Sequence, residues 1–158
     1  MEERLIVLIA ELDAQWHQIE KLYLSIVEKN KLLQKEMNNE DLTNSLAFKL
    51  HNLYSAYEDM FKLIVDFFEN QIEHFSRYHT DLLKRMLIDI DGIRPKLLSE
   101  KSFTLLDELR GFRHVFRHAY SYVLEAERVI KLAEKSEILK EVFLKDFNDF
   151  KNNLRPFA

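Results

Sequence analysis

The stretch DLTNSLAFKLHNLYSAYEDMFKLIVDFF, residues 41–68, decides the fold. Its Leu42, Leu46, Leu50, Leu53, Tyr57, Met60, Ile64 and Phe67 follow one another by four or three residues without a miss. Such steps return a side chain to one face of an α-helix, whereas a strand needs steps of two. The spacing predicts one amphipathic helix from about residue 40 to about residue 75, its apolar stripe facing a core or a dimer seam.

Upstream, residues 3–35 carry the same beat in Leu5, Ile9, Trp16, Ile19, Tyr23, Ile26 and Leu33. The pattern stops at Met37-Asn38-Asn39-Glu40-Asp41, where Asn38 reads as an N-cap with Asp41 three residues on. Two helices of this length, each roughly 50 Å at ~1.5 Å per residue, form an antiparallel hairpin when a short loop joins them. Trp16 and Tyr57 read as packing residues within it.

Downstream, His79-Thr80-Asp81 opens a shorter helix with Thr80 as its cap, ending near Asp91-Gly92 ahead of Pro95. Residues 92–101 read as the one real loop, and Ser102 as the cap of a fourth helix with the line Leu105, Leu109, Phe112, Phe116, Ala119 and Val123. A bend is expected near Ser121. A fifth helix then carries Ile130, Leu132, Ile138, Val142, Phe143, Phe147 and Phe150. Phe143, Phe147 and Phe150 share one face, read as core in preference to a docking surface.

Composition agrees. The 158 residues are 47% hydrophobic, enough for one core, with two glycines and two prolines, too few turn formers for a β-rich domain. There is no repeat and no linker. The expectation is an all-α, up-and-down bundle of about five helices in a single domain, residues 1–158. The absence of cysteine removes disulfides, thiolate metal sites and cysteine nucleophiles. The start Met1-Glu2-Glu3 is acidic, and no segment approaches the roughly 20 apolar residues of a membrane span. A cytoplasmic protein without membrane contact is expected. Net charge is −4, so any contact with nucleic acid must be local.

One stretch supplies such a patch: LRGFRHVFRHAY, residues 109–120, with three arginines and two histidines and no acid. At ~100° per residue, Arg110, Arg113, His114, Arg117 and Tyr120 gather opposite the apolar line, with His118 at the edge. A solvated face is the plain reading, but such faces usually mix signs. Arginine holds a phosphate through two parallel hydrogen bonds, and histidine moves protons near neutral pH. RNA carries its own nucleophile, so these residues suit phosphodiester cleavage without a metal or cofactor. Arg113 and His118 stand about 140° apart on an ideal helix. Either the helix is distorted there, or two copies of the chain share the site across a two-fold axis. A homodimer is expected on that ground.

Arg113-His114-Val115-Phe116-Arg117-His118-Ala119-Tyr120 resembles the Arg-x4-His-x-Tyr motif of HEPN ribonucleases, closest to the HepT-like toxins of toxin–antitoxin pairs. Length, helical order and the motif's place on the penultimate long helix are similar too. The resemblance implies a metal-independent, dimeric endoribonuclease acting on cellular RNA. By it, Arg113 binds and stabilises the scissile phosphate, and His118 is the general acid or base. Tyr120 is the tyrosine that an MNT-type nucleotidyltransferase antitoxin modifies with AMP. His114 stands where these toxins most often have asparagine, and would hydrogen-bond the phosphate or orient His118.

Other chemistries bear on the same residues. His114 and His118, four apart, could share a zinc ion given a third ligand. No histidine follows a glutamate by three residues, which argues against a di-iron bundle. A non-catalytic helical adaptor for a nucleotidyltransferase is the alternative function. His17, His51, His74 and His79 read as surface or helix-end histidines. Arg110 and Arg117 either hold RNA phosphates or pair with acids such as Asp107 or Glu108. Arg128 and the lysines beyond it show only a charged helix face.

Overall fold

The computed structural model describes residues 2–69, 78–119 and 123–154. Five helices follow in order: α1 Glu2–Lys35, α2 Glu40–Phe68, α3 Tyr78–Arg85, α4 Glu100–Arg117 and α5 Ala126–Leu154. The all-α bundle expected from the periodicity is the observed fold, with two long antiparallel helices leading it.

The turn after α1 is short because Asn39 caps α2, its side chain accepting from the Leu42 amide at 3.2 Å. The cap is thus one residue later than Asn38. α2 stops at Phe68, short of the expected end, and residues 70–77 lie outside the described residues, as does His74.

The core lies where α1, α2 and α5 meet. Trp16 packs on Phe143 with ring centroids 5.4 Å apart, and Tyr57 meets Phe143 edge-on at 4.9 Å. Phe147 stacks beside Phe143 at 5.9 Å. The Tyr23 and Tyr57 hydroxyls meet at 2.7 Å inside this cluster. Burial pushes both phenols far above their ordinary pKa, so each stays neutral and the pair satisfies itself. Phe143, Phe147 and Phe150 are at most 1% exposed and belong to the core.

α3 starts at Tyr78 and ends at Arg85, earlier than the expected end near Asp91-Gly92. The reason is tertiary. The Met86 carbonyl accepts from the amides of Leu97 and Leu98 at 2.9 and 3.0 Å instead of continuing the helix. Gly92, with φ +76°, turns the chain so that Ile90 and Arg94 pair as a single bridge. The Arg94 side chain is fully buried there. It donates to Glu69 Oε2 through Nε and Nη2, and to the carbonyls of Arg85, Ile88 and Pro95. Arg85 also pairs with Glu69. One guanidinium thereby ties the end of α2 to the segment after α3.

α4 begins at Glu100 under a Ser99 cap, so Ser102 sits inside the first turn and not before it. Asp146 of α5 accepts from both the backbone N and the hydroxyl of Ser99, at 2.9 and 2.8 Å, which pins the start of α4 to α5. α4 ends at Arg117, and the bend expected at Ser121 falls outside the described residues. No helix is long and apolar enough to cross a membrane, among the described residues.

Candidate functional site

Leu106, Leu109 and Phe112 bury one side of α4. That fixes where the polar side chains between them can go. Arg113 is directed towards α2, where Nη1 donates to Glu58 Oε1 at 2.9 Å. The Glu58 side chain is only 3% exposed. Its other oxygen, Oε2, lies 2.6 Å from His79 Nδ1 on α3, and Arg113 Nη1 lies 3.3 Å from the same nitrogen. One buried carboxylate therefore joins three helices. His79 Nδ1 serves as the donor here, because the carboxylate can only accept.

Unmet hydrogen-bonding groups surround this network. Among the described residues, Arg113 Nε and His51 Nδ1 are buried without a hydrogen-bond partner, and the Tyr54 hydroxyl has Glu58 beside it but outside ordinary hydrogen-bond geometry. Burial first, then the charge of Glu58, push the Tyr54 phenol far up, against the pull of Arg110 and Arg113. His51 stacks on Phe116 with centroids 5.1 Å apart. Burial lowers its pKa, and Arg113 and Arg117 lower it further against the opposite effect of Glu58. His51 is therefore a neutral imidazole at neutral pH.

The remaining motif residues lie towards solvent. His114 and His118 are exposed, their ring centroids 4.5 Å apart. His118 is the C-cap of α4, with φ −105° and ψ 12°, so the regular helix ends there. Arg117, also exposed, occupies the last turn, where a cation suits the helix dipole. Arg110 is held by Asp107 at 2.7 and 2.9 Å, the paired state weighed against a phosphate role. Glu108 instead pairs with Lys135 of α5 at 2.6 Å. Tyr120, the proposed AMP acceptor, lies outside the described residues.

The structure thus brings His114 to His118, and Arg113 to Glu58 and His79. Glu58, His79, His51 and Tyr54 are not part of the motif; His79 lies in the first turn of α3 with 40% of its side chain exposed, a helix-end histidine as expected, and His51 is half-buried. Glu58 had left a trace: it sits on the buried side of α2 between Tyr57 and Phe61, where an acid belongs only if paired. Among the described residues, no three His, Cys, Asp or Glu side chains converge to hold a metal ion, so His114 and His118 gain no third ligand there.

The sequence model of the family described as HepT-like protein matches residues 45–154, well over half of the chain. The match runs from early in α2 to the end of α5 and includes every site residue named above. No curated protein and no solved structure matches the chain. On the strength of the family match, the chain belongs to the HepT-like proteins of the HEPN superfamily.

Proposed function

We propose that the protein is a metal-independent endoribonuclease, the toxin of a toxin–antitoxin pair. One observation carries the reading furthest. A buried carboxylate holds Arg113 through Nη1 while 21% of the arginine side chain stays exposed, on the helix where the His114 and His118 ring centroids lie 4.5 Å apart. An arginine fixed in this way is pre-oriented to donate to a phosphate oxygen.

In the proposed reaction a base removes the proton of a ribose 2′-hydroxyl, and that oxygen attacks the adjacent phosphorus. The bond from phosphorus to the 5′-oxygen breaks, an acid protonates the leaving oxygen, and a 2′,3′-cyclic phosphate and a 5′-hydroxyl remain. Arg113 stabilises the charge that builds on the phosphoryl oxygens. His118 is the general acid or base, and His114 its neighbour in orientation or phosphate binding. Arg117 holds flanking phosphate, and Arg110 does so when released from Asp107. A homodimer, with a composite site, supplies the second copy of each group. Tyr120 is the acceptor for AMP from an MNT-type nucleotidyltransferase antitoxin, and the adduct's bulk and negative charge would exclude RNA.

Purified protein incubated with total cellular RNA in EDTA tests this, beside His118→Ala. Discrete cleavage by the wild type alone supports it. Cleavage by neither, with an intact mass free of added nucleotide, points to the second reading, a helical adaptor that binds a nucleotidyltransferase. Tyr120→Phe should leave cleavage intact and prevent neutralisation by AMP transfer.

A further inference from the structure

α4 and α5 enclose a groove of about 400 Å³ on the far side of α4 from Glu58. Its floor is apolar, made by Phe112 and Leu132. Its α5 wall carries Arg128, Lys131 and Lys135, all exposed and spaced by three and four residues. Lys135 is balanced by Glu108 across the groove, whereas Arg128 and Lys131 enter no ion pair among the described residues. Glu127 and Glu134 are exposed on α5 but do not line the groove.

The α4 wall includes Gly111. A glycine inside a helix is unfavourable relative to alanine, yet a Cβ at Gly111 would meet nothing within 4 Å. Packing within the chain does not call for the missing side chain. From Gly111, steps of three and four lead along α4 to His114 and then His118, whose rings touch. Gly111 to His118 is about 10 Å of helix, as is Arg128 to Lys135.

We propose that this groove is a track for single-stranded RNA leading along α4 to His114 and His118, with Arg128 and Lys131 on successive phosphates and Phe112 and Leu132 beneath the sugars and bases. The proposal rests on the ribonuclease reading for its direction, but its test is separate. A net charge of −4 offers RNA no general attraction, so a local cationic wall must supply it.

The probe is a fluorescein-labelled 2′-O-methyl RNA oligonucleotide, which lacks the nucleophile and reports binding alone by anisotropy. The doubly substituted Arg128→Glu, Lys131→Glu protein should bind at least about tenfold more weakly. Its log affinity should depend less steeply on log salt, by about 1.4, two contacts at ~0.7 each. Gly111→Leu keeps every charge and fills the floor, so it should weaken binding without changing the slope. Lys31→Glu with Lys35→Glu, the same charge change on exposed α1 residues, should leave binding within about twofold. Circular dichroism melts confirm that each variant folds. Unchanged binding by the groove variants, equal loss in the α1 control, no binding by the wild type, or competition by ATP as strong as by the oligonucleotide would each overturn the track. Groove-dependent binding without any cleavage of ordinary RNA sinks the ribonuclease reading and leaves the track standing. Cleavage of long RNA unaffected by the double substitution does the reverse.

Discussion

Tyr57 and Glu58 are neighbours on α2, yet they open onto two different interiors. Tyr57 faces the aromatic core with Trp16, Tyr23 and Phe143, where the two buried hydroxyls satisfy each other at 2.7 Å. Glu58 faces α3 and α4, where one carboxylate accepts from Arg113 and His79, and Arg113 Nε and His51 Nδ1 have no hydrogen-bond partner among the described residues. The first region is finished: its polar groups are closed into pairs and its apolar surface is shared among three helices. The second is unfinished in a chemical sense, with donors held in place and not used up. The two regions open about 100° apart on a single helix.

The sharpest way to break this division is Phe143→Ala. Loss of that ring should cost about 3–5 kcal/mol by thermal or urea unfolding, while cleavage per folded molecule stays near wild type. A comparable loss of specific activity would show that the two regions are not separable. Glu58→Gln comes next. It keeps the shape but removes the charge opposite Arg113, and about 2 kcal/mol of stability should go with it, because a charged donor loses its buried partner. RNA cleavage should fall at least tenfold. A variant as active as the wild type would make the ion pair purely structural.

Gly111→Ala should act in the other direction. The added methyl meets nothing, so the helix should gain roughly 0.5–1 kcal/mol, read as a small rise in melting temperature. The smallest effect is one of pH. The His51 pKa is lowered from 6.5 in the folded protein. Below that value the unfolded chain binds the proton first, so His51 contributes stability that is present above about pH 6.5 and is lost as pH falls through the window beneath it. Urea titrations at pH 7 and pH 5.5 should show this loss, and His51→Gln should flatten it. An unchanged pH slope in the variant would place the acid sensitivity elsewhere.

Residues 41–68 made α2 readable because a solvent-facing and a core-facing side alternate at helical period, a local property. Arg113, His114 and His118 were readable for a similar reason, lying within six residues of one another. Glu58 and His79 were not. They reach Arg113 across 55 and 34 residues of chain, and no local pattern encodes that meeting. The premature end of α3 has the same origin: Leu97 and Leu98 take the Met86 carbonyl, a competition invisible until the loop has folded back. Capping errors of one to three residues at Asn39 and Ser99 arose because two adjacent or nearby residues at each site had the right chemistry.

The Arg94 tie has a consequence for how the protein breathes. α3 has eight residues, too few to persist as an isolated helix. It is held by the burial of Leu82, Leu83 and Met86 and by the stretch that Arg94 fastens to Glu69. α3 and residues 86–98 therefore form a unit that can open without unfolding the core, and His79 would leave with it. In native-state hydrogen exchange the Leu97 and Leu98 amides should exchange together, ahead of those in α1 and α5. Each such opening would strip Glu58 of its hydrogen bond to His79, so the setting of Arg113 would fluctuate with the lifetime of a loop more than ten residues away from it in sequence.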